Sequence, residues 1–103
     1  MIKTLITAMV ALLFSSSLFA AQTPFKVEAI ATLEDPWAMA VLPQGGFLVT
    51  QKAGRLAHVT ASGAVQTIAG APKVTDGGQV GLHDVVLAPD FQTSGLVYLT
   101  WVD

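Results

Sequence analysis

Pro36-Trp-Ala-Met-Ala-Val-Leu-Pro-Gln-Gly-Gly-Phe-Leu-Val-Thr50 is two apolar runs joined by a proline-glycine turn, and this pattern sets the fold class. By length alone, Trp37 to Leu42 is either a strand or half a helix. Its flanks decide for a strand, because Pro36 stands before it and Pro43-Gln-Gly-Gly46 makes a tight turn behind it. Phe47 to Thr50 is then the returning strand. Downstream, Gln51-Lys-Ala-Gly54 is a turn, Arg55 to Thr60 a strand, Ala61-Ser-Gly63 a turn and Ala64 to Ala69 a further strand. Upstream, Lys26 to Leu33 alternates, with Val27, Ala29 and Ala31 on one face, and is expected to be a strand ended by Glu34-Asp-Pro36. Turn signals about eight to twelve residues apart predict an antiparallel meander, as in a sandwich, a barrel or one propeller blade. Nothing after residue 20 sustains a helical period, so the chain is expected to be all-β.

The texture changes at Gly70, where a longer loop runs to Asp76-Gly-Gly-Gln-Val-Gly81. Three glycines around one glutamine suggest that Gln79 is presented at a surface, with Gly78 and Gly81 shaping the loop through their backbones. Leu82 to Leu87 is a strand, Ala88 to Gly95 a turn and Leu96 to Val102 a β-branched and aromatic strand. Val80 to Thr100 thus repeats the plan of Pro36 to Thr50: apolar strand, proline turn, second apolar strand ending in threonine. A repeat about 45 residues apart is the spacing of propeller blades. Val97, Tyr98, Leu99, Trp101 and Val102 leave an apolar edge open to a partner. Residues 26–103 are therefore expected to be the incomplete N-terminal part of a β-propeller domain, about one and a half blades cut from something longer.

The chain has 103 residues, 52% of them hydrophobic and 12% charged, so it holds one small domain at most. Part of the apolar excess lies in residues 1–20. Lys3 is followed by an uncharged apolar run from Leu5 to Leu18 and then by small residues, the form of a secretory signal peptide cleaved after Ala20. A run this short falls below the roughly 20 residues that span a bilayer. Residues 21–25 read as a linker. After cleavage four basic residues face seven acidic ones, a net charge of −3, which attracts neither nucleic acid nor an anionic membrane. With no cysteine there is no disulfide and no thiolate metal site. The signal points to a periplasmic or secreted protein with no membrane span once it is removed.

Three stretches together resemble a known family: Leu33-Glu-Asp-Pro-Trp-Ala-Met-Ala-Val-Leu-Pro-Gln-Gly-Gly-Phe-Leu-Val-Thr50, Gly54-Arg-Leu-Ala-His-Val59 and Gly78-Gln-Val-Gly-Leu-His-Asp-Val-Val-Leu-Ala-Pro-Asp-Phe91. Their order and spacing are similar to those of the soluble pyrroloquinoline quinone (PQQ)-dependent aldose sugar dehydrogenases, also called glucose/sorbosone dehydrogenases. The resemblance implies a six-bladed β-propeller that oxidises an aldose sugar, with PQQ in a groove on its top face, a calcium ion beside it and an external electron acceptor. It implies that Gln79 reaches the active site. It also implies that the catalytic histidine base, the arginines that grip the quinone and the calcium ligands lie beyond Asp103, so that the chain alone is inactive. The chain departs from the pattern at Thr50-Gln51-Lys52, where relatives commonly read Thr-Glu-Arg, and at Val80 and His83. A rival reading is a secreted, non-catalytic propeller that binds without chemistry.

Elementary chemistry sorts the remaining candidates. A neutral amide suits Gln79 to a quinone or sugar, since it offers two donors and an acceptor without titrating; the bland alternative is an amide bonded to its own loop. His83 and Asp84 are adjacent on a strand and point to opposite faces, so they are not read as a dyad, and His83 is expected to be a hydrogen-bonded strand histidine. His58 reads as solvent-facing, Asp90 as a turn carboxylate, and Trp37 and Trp101 as packing between blades. Two isolated histidines without ligand spacing do not make a transition-metal site. No phosphate-binding glycine loop or Gly-x-Ser-x-Gly is present, which argues against nucleotide and serine-hydrolase chemistry.

Overall fold

A computed structural model describes residues 22–103; the expected signal peptide of residues 1–20 lies outside them. Four strands, β1 (Pro36–Val41), β2 (Phe47–Gln51), β3 (Arg55–Val59) and β4 (Val65–Ile68), form an antiparallel sheet in chain order. The turns follow from glycine. Leu42 N–H donates to Gly46 O at 3.0 Å, and Gly46, at φ 82°, lies where a side chain would strike the Val59 carbonyl. Between β3 and β4 the Thr60 hydroxyl accepts the Ala64 N–H at 3.0 Å, which closes the loop locally.

A second sheet pairs β5 (Gly81–Leu87) with β6 (Val97–Val102), again antiparallel. Between them the chain makes a single helical turn, α1 (Phe91–Ser94), ended by Gly95 in the left-handed conformation at φ 67°. The ladder slips between Leu82 and Val85, so β5 carries a bulge at His83 and Asp84.

The core lies between the two sheets. Leu48, Leu56 and Val85 are buried together, and Ala38, Ala40, Leu42, Leu87, Val97 and Leu99 pack around them. β2 is the strand most fully covered, since both of its edges are paired and β5 also packs on it. A polar tie crosses the same gap: Thr50, completely buried, accepts the Ala38 N–H at 3.1 Å and donates to the His83 carbonyl. Trp37 of β1 stacks on His83 of β5, ring centroids 4.6 Å apart and planes 16° apart. The fold is all-β, one propeller blade and the opening strands of the next.

One expected strand does not form. Lys26 to Leu33 pairs with no strand among the described residues, and all but Leu33 are exposed. The segment instead crosses the meander, with Ile30 near Gly63 of the β3–β4 turn and Ala29, Ala31 and Leu33 beside Met39 and Val49. Alternation there reflects small alanines that pack weakly, and an unpaired strand has no ladder to hold it.

Candidate functional site

The loop from Gly70 ends in a two-residue turn, Gly77-Gly78-Gln79-Val80. Val80 N–H donates to Gly77 O at 2.9 Å, and Gly78 sits at φ 55°, a conformation glycine adopts without steric cost. This places Gln79 at the tip, exposed, with its side chain bonded to no other described residue. An amide so placed has its full hydrogen-bonding capacity available to a ligand.

The turn is held from the preceding sheet by Lys52. Its ammonium donates to Gly78 O and lies 3.8 Å from the Asp76 carboxylate. The Lys52 backbone N–H donates to Asp35 O, and its carbonyl accepts the Leu82 N–H, each at 3.0 Å. Gly81, at φ 131°, passes so close to that carbonyl that a side chain would collide with it. Gly81 is therefore required by its backbone and by its neighbour, while Gly78 has open space around it and is required by its backbone alone.

Beside the turn lies a polar recess lined by Glu34, Asp35, Gln51, Arg55 and Asp76. Gln51 is buried and donates its amide to Glu34 O at 2.8 Å, leaving its Oε1 buried without a partner among the described residues. Asp103 Oδ1 accepts the Thr75 N–H at 2.9 Å, and this bond holds the Asp103 carboxyl below its ordinary value of 3.8. No three His, Asp or Glu side chains converge on one point among the described residues. Another cavity, between the β1–β2 turn and α1, lies at the other end of the strands and is bordered by His58 and Phe91.

The other candidates fall into place as structure. His83 is half-buried against Trp37, but its Nε2 is buried with no hydrogen-bond partner among the described residues, so the expected hydrogen-bonded histidine is instead a stacked one. Asp84 forms no dyad with it: the bulge breaks simple alternation, and the carboxylate accepts the Val85 N–H at 2.8 Å. His58 is half-buried at the gap between the sheets, not solvent-facing, because β6 and α1 cover that end of β3. Asp90 accepts the Ser94 hydroxyl at 3.0 Å and is a turn carboxylate. Trp37 stacks one face on His83 across the sheets yet stays 51% exposed, and Trp101 on β6 is 48% exposed. Gln51 and Lys52 were legible as turn residues and as a departure from the family's Thr-Glu-Arg, but not as the side chains that reach Glu34 O and Gly78 O.

Residues 33–103 match the sequence model of the family described as Glucose / Sorbosone dehydrogenase. Over 90 residues the chain is 43% identical to the aldose sugar dehydrogenase YliI of Escherichia coli (strain K12), covering 84% of this chain and 24% of that protein. Among solved structures, the apo-form of the soluble aldose sugar dehydrogenase from Escherichia coli aligns over 67% of this chain and 20% of its own, at 44% identity and a TM-score of 0.63. The PQQ-bound form of an aldose sugar dehydrogenase from Streptomyces coelicolor aligns over 75% of this chain and 24% of its own, at 29% identity and a TM-score of 0.70. The chain thus spans about a quarter of the length of the first of these relatives.

Proposed function

The chain belongs to the Glucose / Sorbosone dehydrogenase family, and from that premise we propose that it forms the N-terminal wall of a quinoprotein that oxidises aldose sugars with PQQ. The observation that carries the proposal is Gln79: an exposed, unspent amide on a pinned turn, within the residues that match the family. A relative solved with PQQ bound supports the choice of cofactor.

PQQ, when bound, supplies the two-electron acceptor, so that a sugar hydroxyl carbon loses a hydride equivalent while the hydroxyl loses its proton. This chain's part is orientation. Gln79 is suited to donate to a quinone or sugar oxygen and to accept from a sugar hydroxyl, holding either in line without adding a charge. The turn fits that role because its tip is exposed and the tip amide has no competing partner among the described residues. The base that takes the proton, the arginines that hold the quinone and the ligands of a calcium ion are assigned to blades C-terminal to Asp103. An external acceptor would reoxidise the cofactor, and the signal-like segment of residues 1–20 supports a periplasmic or secreted location.

The test is dye reduction by the complete polypeptide that carries this chain, supplied with PQQ and calcium. Aldose-dependent reduction that requires PQQ is expected, falling on the order of tenfold to a thousandfold in Gln79→Ala if the amide stabilises developing charge. A folded polypeptide that binds sugar but never reduces dye with any aldose would overturn the enzyme reading in favour of a binding module.

A further inference from the structure

We propose that Lys52 is a positioning residue for Gln79: the preceding blade reaches across the inter-blade gap with one ammonium group and fixes the direction in which the Gln79 amide leaves its turn. The inference rests on the reading of Gln79 given above and adds the device that sets it.

Geometry carries the inference. The Gly78 carbonyl that accepts the Lys52 ammonium belongs to the peptide unit joining Gly78 to Gln79. That unit is planar, so holding its oxygen also orients the Gln79 N–H and Cα. Gly77 and Gly78 have open space around them and the widest backbone freedom of any residue type, so the turn has little else to stop it from swinging. The second contact, to Asp76 at 3.8 Å, holds the residue that leads into the turn.

The base of the clamp is itself fixed. The Lys52 N–H is bound to Asp35 O and its carbonyl to the Leu82 N–H, so the side chain starts from a backbone anchored to both blades. Its side chain is only 20% exposed, against 87% for Lys26, whose ion pair with Glu28 at 3.9 Å lies in the open. An ammonium has three donors and no acceptor, so a largely covered lysine remains where carbonyl and carboxylate oxygens meet it. The Gly81 position, where any side chain would meet the Lys52 carbonyl, keeps the two backbones close enough for the reach.

Two measurements on the complete polypeptide test this. The first is amide hydrogen exchange. Lys52→Met is expected to speed exchange at Val80 several-fold while leaving Val49 and Ala57, in the centre of the β2–β3 ladder, unchanged; Lys52→Arg is expected to retain most of the protection. Unchanged exchange at Val80 would overturn the clamp, and so would equal acceleration across β2 and β3, which marks general loosening. The second is a cycle with Gln79 in the PQQ-loaded polypeptide. Lys52→Met is expected to lower kcat/KM for the aldose by about tenfold, and by much less than that when Gln79 is already alanine, because residues acting through one another are not additive. Equal losses in the two backgrounds would show that Lys52 does not act through Gln79. If no aldose is oxidised at all while the exchange result holds, the clamp stands and the sugar reading falls.

Discussion

Thr50 closes an apolar strand, and at that position a hydroxyl is an expensive thing to bury unless it is fully bonded. It is bonded across the gap, to Ala38 in its own sheet and to the His83 carbonyl in the next. Thr50→Val keeps the shape and removes the bond, leaving a carbonyl in a covered position without this partner. The expected loss is about 1–3 kcal/mol in the unfolding free energy of the complete polypeptide, read from denaturant titration, with Thr50→Ser retaining most of it. A loss no larger in Val than in Ser would remove the hydrogen bond from the account. The sequence showed threonine ending both apolar repeats but not that the first of them ties two blades together. Gln79 was legible as a displayed amide because glycine on both sides leaves a loop few ways to pack. Lys52 was not, since the oxygen it reaches is 26 residues away.

At the scale of elements, alternation and glycine placement located the strands to within a residue or two, because paired strands and tight turns impose local rules. They misread Lys26 to Leu33, where the pattern is present and the pairing partner is not. They also could not locate the bulge in β5, which arises where Asp84 is drawn to the Thr100 hydroxyl and to the Val85 N–H. The end of β6 makes one further tie, from the Asp103 carboxylate to the Thr75 N–H, ahead of the Gln79 turn. The folded carboxyl has its affinity for a proton lowered by that bond. Its contribution is therefore fully present above the unfolded value of 3.8 and is lost as pH falls through the lower folded value. Protection of the Thr75 amide from exchange should follow that titration, and Asp103→Ala should abolish the dependence. Thr75 protection that ignores pH between neutrality and that window would rule the tie out.

Across the whole molecule, the described residues leave large apolar side chains bare in quantity. Trp37, Met39, Val41, Val86, Leu96, Tyr98, Trp101 and Val102 are each about half exposed or more. Blade arrays bury such faces only against neighbouring blades, and about three repeats are needed before burial offsets the ordering entropy. Residues 22–103 produced alone are therefore expected to bind a hydrophobic dye strongly and to unfold without a cooperative transition, while the complete polypeptide does neither. A sharp calorimetric transition from the short chain would overturn this.

Local periodicity, turn chemistry and the order of three motifs by themselves determined the all-β class, the blade and a half and the family, because each depends on residues close together in the chain. Tertiary structure alone decided which of those residues meet: Lys52 with the Gly78 carbonyl, Thr50 with the His83 carbonyl, Trp37 with the His83 ring. These contacts join one blade to the next, and they are set by how two twisted sheets pack, a geometry to which no local repeat of the sequence corresponds.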